Sequence, residues 1–335
     1  MTARAPGQHR DPLAGTGIPV AASRRPRPGP IAILPEPHPI YVRAIEAGGG
    51  VVAPLSAETR GILWLSDGDS AELTGILRAN PAIGWVQLPW AGVDGFAAVL
   101  AEFAHDETPV WTSAKGAYSE PVAEHALALT LAVLRGLAEK SRSRTWAYAK
   151  EGISLYGRNV VIIGAGGIAV ELIRLLEPFE VSVTIVRRTP GDLPGADRTV
   201  TASELLEVLP DADVVIVAAA AVESTARLIG ARELAAMKPS AALVNIARGS
   251  LVDSAALAAA LNAGHLAGAG LDVTDPEPLP DGHPLWSAPR CLVTSHAADT
   301  REMVEPLLAE RLRLNVEALL GDGAFIGVVD PAAGY

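Results

Sequence analysis

The chain has 335 residues, a length typical of about two domains. Hydrophobic residues make up 49% of it and charged residues 19%, which excludes a largely disordered protein. The formal net charge of −11, without a sustained basic stripe, argues against general nucleic-acid binding. The single cysteine, Cys291, excludes an intrachain disulfide framework and a multi-cysteine metal site, and it is typical of a reducing compartment.

The sequence carries no signal for membrane insertion or export. No stretch approaches the ~18 uninterrupted apolar residues that a transmembrane helix needs. Arg24 and Arg25 resemble a twin-arginine signal, but proline and glycine follow them instead of an apolar core. We therefore expect a cytoplasmic protein without a membrane segment. Residues 1–28 are rich in proline, glycine, alanine and arginine without periodicity, which predicts a disordered tail.

The next region alternates strand and helix patterns. Short apolar runs predict strands at residues 31–34, 61–65, 85–88 and 109–112. Helical patterns lie between them, for example at 42–46 and 69–79. This alternation predicts a parallel sheet.

A long helix is predicted from about Glu120 to about Lys140. Ser119 can cap its N-terminus, and Glu120 places a negative charge at the positive end of the helix dipole. The apolar residues run almost continuously, so more than one face of this helix should be buried.

A second alternating series begins at Asn159. Its six predicted strands cover residues 160–163, 183–186, 214–217, 242–246, 269–273 and 291–294. Six such strands, the first leading into a glycine turn, predict the doubly wound dinucleotide-binding fold. A last helix is predicted over about 301–320, where Pro306 marks a kink or the true start, and this helix can cross back onto the first domain.

The glycine turn after the first of these strands has the pattern G-x-G-x-x-A. Gly164 permits the tight turn, Gly166 lets the backbone approach a pyrophosphate, and Ala169 is small enough for helix and strand to pack. The helix that follows, from Gly167 and Ile168, presents N–H groups to the phosphates. With a strand before it and a helix after it, this pattern favours a nucleotide-binding turn over an ordinary structural turn.

The second strand of the series ends without the acidic residue that usually binds the ribose of NAD. Val186 is followed by Arg187, Arg188 and Thr189. A carboxylate would repel a 2′-phosphate, whereas guanidinium groups and a hydroxyl bind one. The pattern favours NADP(H), with NAD(H) possible; the alternative interpretation is a pair of solvated arginines at a strand end.

Several downstream segments follow one another in a recognisable order. They are Val122–Glu124, Met237–Pro239, Leu243–Asp253, Gly270–Val273, Glu277–Leu279, Pro284–Trp286 and Thr294–His296. In this order they resemble the D-isomer-specific 2-hydroxyacid dehydrogenases, over about residues 30–330. The Arg–Thr pair after the second strand resembles most closely the NADP-preferring branch that contains glyoxylate/hydroxypyruvate reductases.

The resemblance implies an oxidoreductase that reduces a small 2-keto acid to the D-2-hydroxy acid by hydride transfer from NAD(P)H. Its catalytic roles map onto His296 as proton donor, Glu277 as the carboxylate beside it, and Arg248 as the cation that polarises the carbonyl and binds the substrate carboxylate. Asp275 is the alternative carboxylate in the same acidic loop. His125 is the alternative histidine, although its place early in the long helix favours a structural role.

Further site residues follow from the same resemblance. Leu88–Asp94 resembles the loop whose backbone N–H groups, here those of Ala91 and Gly92, hold the substrate carboxylate. Trp90 either borders that site or packs in the core, and the sequence favours neither alternative. In the cofactor site, Asp272 would bind the nicotinamide carboxamide, with Ala247 nearby.

The sequence departs from the family at two positions. Ser295 replaces the proline that usually precedes the catalytic histidine, and Ala220–Thr225 replaces a proline-containing cofactor loop. Both changes put the fine positioning of groups in doubt rather than the reaction.

Together these patterns predict an α/β protein with two Rossmann-like domains, doubly wound parallel sheets and an active site in the inter-domain cleft. The expected substrate (catalytic) domain is discontinuous, with residues 29–118 and 298–335, and the expected dinucleotide-binding domain is 119–297. The resemblance also implies a homodimer without a metal ion. Two alternatives stay open: an NAD(H)-sensing, corepressor-like module without turnover, and an NAD-dependent D-2-hydroxyacid dehydrogenase of another substrate.

Overall fold

The structure is a computed structural model that describes residues 8–66, 70–104, 109–146, 151–321 and 323–334. The chain divides into two compact units, one drawn from Met1–Glu120 with Thr300–Tyr335 and the other from Pro121–Asp299. Both are α/β units built on parallel sheets, which confirms the predicted fold class of two Rossmann-like domains.

Before it leaves the first unit, the described part of the chain forms five strands and three α-helices. Strands β1 to β5 are Ile18–Pro19, Ile31–Leu34, Gly61–Trp64, Trp85–Gln87 and Val110–Thr112. Helices α1 to α3 are Pro39–Ala47, Ser70–Ala79 and Ala97–Glu102. Strands β2 to β5 and helices α1 and α2 correspond to the predicted elements, with ends that differ by a few residues, whereas β1 and α3 were not predicted. Asp69, the predicted first residue of α2, lies outside the described residues.

In its described residues, the second unit contains seven α-helices and seven strands. Helices α4 to α10 are Ser119–Leu134, Leu137–Arg142, Gly167–Leu176, Leu205–Val208, Ala231–Ala236, Ser254–Asn262 and Pro284–Ser287. Strands β6 to β12 are Asn159–Ile163, Ser182–Arg187, Arg198–Thr201, Val214–Val217, Ala242–Asn245, Gly268–Leu271 and Cys291–Val293. The chain then returns to the first unit with α11, Arg301–Leu320, and β13, Ala324–Phe325.

The first unit is built around a parallel sheet of order β2-β3-β4-β5. A parallel bridge between Ile31 and Val52 adds a short segment beside β2, which places β2 inside the sheet as doubly wound folds require. Helix α11 packs against α1, so the last predicted helix does lie on the first domain. Pro306 falls inside α11, and the helix begins at Arg301, where the Thr300 hydroxyl accepts from the Met303 N–H.

The second unit contains a parallel sheet of order β8-β7-β6-β9-β10-β11-β12. The strand order reverses at β6, which pairs with both β7 and β9. Ligands of open α/β sheets bind at the carboxyl ends of the strands beside such a reversal. All six predicted strands are present. The seventh, β8, has the sequence Arg-Thr-Val-Thr with only Val200 buried, so it lacks the apolar run on which the prediction depended.

The predicted long helix ends earlier than expected. Helix α4 stops at Leu134, and Gly136 adopts a left-handed conformation with φ of 60° before α5 begins. A left-handed glycine is a common way to end a helix. Ser119 is the first residue of α4 rather than the residue before it, and its hydroxyl donates to the Gly116 carbonyl oxygen over 2.8 Å.

Residues 8–28 differ from the predicted disordered tail, because they pack onto the first unit. Strand β1 pairs antiparallel with β13. The Asp11 carboxylate accepts from the Arg311 Nε over 2.8 Å, and both side chains are at most 1% exposed. Arg10 donates to the Glu120 carboxylate over 2.6 Å. These partners lie more than 100 residues away in sequence, so the composition of the segment could not reveal them.

Removal of the Asp11 carboxylate should destabilise the protein. Asp11→Ala leaves the buried Arg311 guanidinium with two carbonyl oxygens, of Ser113 and Lys115, but without a counter-charge. Breaking one partner of a buried ion pair costs about 3–5 kcal/mol. Urea unfolding measures the loss, with Arg313→Ala as the control, since its carboxylate partners on the same helix are nearly half exposed and such pairs contribute about 0–1 kcal/mol. Equal losses for the two variants would contradict the prediction.

Within the described ranges, no helix combines the length and apolar character that crossing a bilayer requires.

Candidate active site

The glycine turn between β6 and α6 has the geometry of a phosphate-binding turn. Gly164 has a φ of 122°, and a Cβ at this position would lie 2.4 Å from the Ala218 carbonyl oxygen. Gly166, which precedes α6, is exposed, and a Cβ there would meet no atom within 4 Å. The first-turn N–H groups of a helix lack intrahelical partners, here those that begin with Gly167 and Ile168. The turn therefore leaves room for a pyrophosphate at the helix N-terminus, as a dinucleotide requires.

Basic and hydroxyl side chains follow β7, the neighbour of β6 in the sheet. Arg187 is half-buried, and its Nη1 donates to the Gly191 carbonyl oxygen over 3.2 Å. Arg188 and Thr189 are exposed. Because β6 and β7 are parallel, these groups lie at the same sheet edge as the glycine turn. The residues present therefore fit a dinucleotide that carries an additional phosphate on its adenosine ribose.

Arg248 lies in a rigid turn after β10. Buried Asn245 accepts from the Ala247 N–H through Oδ1 over 3.1 Å and donates through Nδ2 to the Arg248 carbonyl oxygen over 2.9 Å. A Cβ on Gly249 would lie 1.8 Å from the Thr274 carbonyl oxygen, so glycine is required after the arginine. The Arg248 side chain is half-buried. Asn245 is a supporting residue to which the sequence analysis gave no role.

His296 and Glu277 come together from two loops of the second unit. Glu277 lies in the loop after β11, and His296 lies after β12. The His296 Nδ1 and the Glu277 Oε1 are 2.6 Å apart, and the two side chains are 50% and 40% exposed. Of the two carboxylates considered from the sequence, the structure pairs Glu277 rather than Asp275 with this histidine. A carboxylate at Nδ1 orients the ring and favours a proton there, which leaves Nε2 as the nitrogen that can give a proton.

The turn that carries His296 has an uncommon backbone conformation. Ser295 has a φ of 52° and His296 a φ of 54°, both in the left-handed region. This region costs a non-glycine residue about 1–2 kcal/mol. Proline is confined to φ of about −65°, so it could not adopt the conformation of Ser295. The serine at this position, noted above as a departure from the family, is compatible with this turn.

Asp272 accepts hydrogen bonds from residues on both sides of this turn. Its carboxylate is buried and accepts from the Thr294 hydroxyl over 2.6 Å, the Ala297 N–H over 2.8 Å and the Ala298 N–H over 3.1 Å. Its carbonyl oxygen accepts from the His296 N–H over 2.5 Å. The proposed contact of Asp272 with a nicotinamide carboxamide stays a prediction; its contacts in the structure hold the His296 loop.

Two carboxyl groups near His296 have shifted pKa values. Burial raises the pKa of Asp272, but hydrogen bonds from His125, Thr294 and Ala297 outweigh it and hold this pKa below its usual range. Burial also raises the pKa of Asp299, and the opposing effect of His296 is smaller. Asp272 is therefore a carboxylate at neutral pH and acts as a hydrogen-bond acceptor.

His125, on α4, reaches this cluster. Its Nε2 lies 2.9 Å from the Thr294 hydroxyl oxygen and 3.4 Å from the Asp272 Oδ1. The position of His125 early in the long helix predicted a structural role for it. Its partner Thr294 is 169 residues away, and no local pattern connects the two.

The proposed substrate loop lies in the first unit, after β4. The Tyr118 hydroxyl donates to the Pro89 carbonyl oxygen over 2.8 Å, and the Trp90 carbonyl oxygen accepts from the Ala114 N–H over 3.0 Å. Trp90 is 39% exposed, which argues against ordinary core packing. Ala91 is exposed and Gly92 half-buried, and their role in holding a carboxylate stays a prediction.

Among the residues with described positions, no three His, Cys, Asp or Glu side chains are grouped so that they could hold a metal ion.

Three comparisons relate the chain to known proteins. It is 36% identical over 258 residues to an uncharacterised protein in the proB 3′ region of Corynebacterium melassecola, which covers 76% of this chain and 84% of that protein. It is 32% identical to a glyoxylate reductase of Thermofilum pendens over 62% of this chain and 64% of that enzyme, just under two thirds of the enzyme's length. The crystal structure of an NADPH-dependent glyoxylate/hydroxypyruvate reductase from Sinorhizobium meliloti superposes with a TM-score of 0.72 at 27% identity, covering 92% and 98% of the two chains.

The family model described as the NAD binding domain of D-isomer specific 2-hydroxyacid dehydrogenases matches residues 126–298, more than half of the chain. That segment contains the glycine turn, Arg248, Glu277 and His296. The chain therefore belongs to the D-isomer specific 2-hydroxyacid dehydrogenase family, NAD(P)-dependent oxidoreductases that act on CH–OH groups.

Proposed function

We propose that the protein reduces a small 2-keto acid, of the glyoxylate or hydroxypyruvate type, to the D-2-hydroxy acid with NADPH. The observation that carries this proposal is the 2.6 Å contact between the His296 Nδ1 and the Glu277 Oε1, in the same unit as Arg248 and the glycine turn. The glyoxylate reductases among its relatives support the substrate class.

The reduction needs a hydride at the carbonyl carbon and a proton at the carbonyl oxygen. NADPH, when bound, supplies the hydride. His296 holds a proton at Nε2 and gives it to the oxygen, while Glu277 accepts the Nδ1–H and orients the ring. Arg248 is a permanent cation that binds the substrate carboxylate and stabilises the negative charge developing on the oxygen.

The residues that would hold the cofactor lie on two neighbouring strands. The backbone of Gly164, Gly166 and Ile168 would hold the pyrophosphate at the N-terminus of α6. Arg188 and Thr189 would bind the 2′-phosphate. Arg188 has the larger share in this proposal, because its position matches that of the arginine in the NADP-preferring branch, whereas Arg187 occupies the position of the usual acidic residue.

The proposal is tested by mixing purified protein with NADPH and a keto acid and following the oxidation of NADPH by absorbance. The panel contains glyoxylate, hydroxypyruvate, pyruvate and 3-phosphohydroxypyruvate, and the configuration of a chiral product is determined by chromatography on a chiral column. We expect NADPH oxidation with glyoxylate and hydroxypyruvate, and the D-isomer as the product of hydroxypyruvate. NADPH binding without oxidation by any of the four acids would favour a cofactor-sensing module and overturn the proposal.

Arg188 should determine the preference for NADPH. Each charge-assisted hydrogen bond to a 2′-phosphate contributes about 1.5–3 kcal/mol. Arg188→Ala should therefore lower the ratio of kcat/KM for NADPH to that for NADH at least about tenfold, since ~1.4 kcal/mol is one decade. The wild-type preference should weaken as salt rises.

A matched control for this variant is Arg198→Ala. Arg198 is also exposed and lies on β8, but at the end of the strand pair away from Arg188. For Arg198→Ala, the ratio of kcat/KM for NADPH to that for NADH should stay at the wild-type value. Equal kcat/KM values for NADH and NADPH in the wild type would remove the assignment of NADP.

We further propose that the protein is a cytoplasmic homodimer, as the family resemblance implies. Burial raises the pKa of the free Cys291 thiol to about 12, so this cysteine is protonated and unreactive, as is typical of a structural thiol in a reducing compartment.

Light scattering coupled to gel filtration measures the mass in solution, and a monomer at micromolar concentration would contradict the dimer.

A further inference from the structure

His125 contacts the His296 loop, but the mechanism proposed above gives it no part. Its ring extends from α4, and its Nε2 lies 2.9 Å from the Thr294 hydroxyl oxygen and 3.4 Å from the Asp272 carboxylate. The side chain is 21% exposed, whereas Asp272 is 1% exposed. A ring nitrogen so close to two polar groups at a buried carboxylate is part of a specific hydrogen-bond network.

The chemistry of the three groups determines the direction of the hydrogen bonds. The ionised Asp272 carboxylate can only accept, so the single hydroxyl proton of Thr294 is donated to it over 2.6 Å. The remaining lone pairs of that hydroxyl accept, which requires a proton on the Nε2 of His125. The hydrogen bonds thus run from His125 to Thr294 to Asp272.

This series of hydrogen bonds ends on the residue that holds the turn of His296. Asp272 accepts from the backbone N–H groups of His296, Ala297 and Ala298. The left-handed conformations of Ser295 and His296 persist only if surrounding contacts enforce them. Asp272 therefore holds the turn that carries the imidazole, at His296 through its carbonyl oxygen and at Ala297 and Ala298 through its carboxylate.

We propose that His125 is a positioning residue for His296, which stabilises the left-handed Ser295–His296 turn through Thr294 and Asp272. The inference rests on the proposed function for its effect on turnover, but not for its effect on structure. Without the Nε2–H, the Thr294 hydroxyl loses one of its two partners and the turn can relax toward negative φ. The His296 ring would then move away from Glu277, and misplacement by about 1 Å can cost 10²-fold in rate.

Two substitutions of His125 test the proposal through steady-state kinetics. Phenylalanine preserves a ring but has no N–H, whereas glutamine can place an N–H near the position of Nε2. We expect His125→Phe to lower kcat at least about tenfold, equivalent to ~1.4 kcal/mol, with the KM for NADPH nearly unchanged. His125→Gln should restore most of the loss. His265→Phe is the control, because His265 is exposed at the turn before β11.

Proton NMR provides a readout that does not depend on turnover. The downfield N–H resonance of the His296–Glu277 hydrogen bond is assigned by its loss in His296→Gln. We expect this resonance to broaden or shift in His125→Phe and to keep its wild-type position in His125→Gln and His265→Phe. If the wild type reduces no keto acid but the resonance changes as expected, the proposed function fails and this inference stands.

A third variant covers the case in which His125→Phe does not fold. Thr294→Val has nearly the same volume as the wild type but lacks the hydroxyl, and circular dichroism verifies its fold. It should reproduce both the loss of kcat and the change in the resonance. If either folded variant, His125→Phe or Thr294→Val, leaves kcat and the resonance at wild-type values, the positioning role is wrong.

Discussion

Replacement of His296 by alanine is expected to lower kcat for keto-acid reduction by roughly 10²–10⁴, the range for loss of a general acid. The imidazole is held at 2.6 Å from Glu277, and no equivalent donor replaces it in the proposed mechanism. Steady-state rates at saturating NADPH and keto acid measure the loss. Glu277→Gln should cause a smaller loss, because the imidazole remains as the proton donor but loses the carboxylate that orients its ring.

Cofactor binding separates this effect from general damage. The glycine turn lies between β6 and α6, whereas His296 follows β12, so fluorescence titration with NADPH should give the wild-type affinity for His296→Ala. His265→Ala is the matched histidine control and should turn over normally. Near-wild-type turnover of His296→Ala would remove this residue from the mechanism.

Arg248→Ala should raise the KM for the keto acid and also lower kcat. The guanidinium is assigned to the substrate carboxylate in the ground state and to the carbonyl oxygen as its charge develops, so both constants should change. Loss of one such donor lowers kcat by about 10²–10³. Arg248→Lys should lie between alanine and the wild type, because it keeps the charge but not the planar fork of donors.

The control for Arg248 is Arg232→Ala, which removes an exposed arginine from α8 in the same unit. Substrate saturation curves at saturating NADPH give kcat and KM for each variant. A rise in KM without any fall in kcat would show that Arg248 binds the substrate without polarising its carbonyl.

The buried strands of the two parallel sheets were predictable from the sequence because of their apolar runs. Parallel strands are covered on both faces, so runs such as Val214–Val217 consist entirely of apolar residues. Strand β8 has a polar sequence because it lies at a sheet edge, and it could not be recognised in the same way. The end of α4 was signalled by Gly136, yet the apolar residues on either side of it favoured a longer helix.

The candidate site was predictable to the level of residue type and order. Arg248, Glu277 and His296 follow from motifs along the chain, and the pairing of Glu277 with His296 then appears in the structure. The turn that carries His296 could not be predicted, since its conformation depends on Asp272, more than 20 residues earlier in sequence. His125 lies still further from its partners.

The first unit combines elements from two distant parts of the chain, which has a consequence for its biosynthesis. Buried Asn315 donates to Gln87 over 2.9 Å, and Arg311 binds Asp11, so α11 completes contacts begun 200 to 300 residues earlier. During translation, all seven strands of the second unit emerge before α11 does. Domains fold as units once their residues are available, and contacts between distant residues form late. The nucleotide-binding turn should therefore fold on the ribosome before residues 300–320, which complete the first unit, have been synthesised.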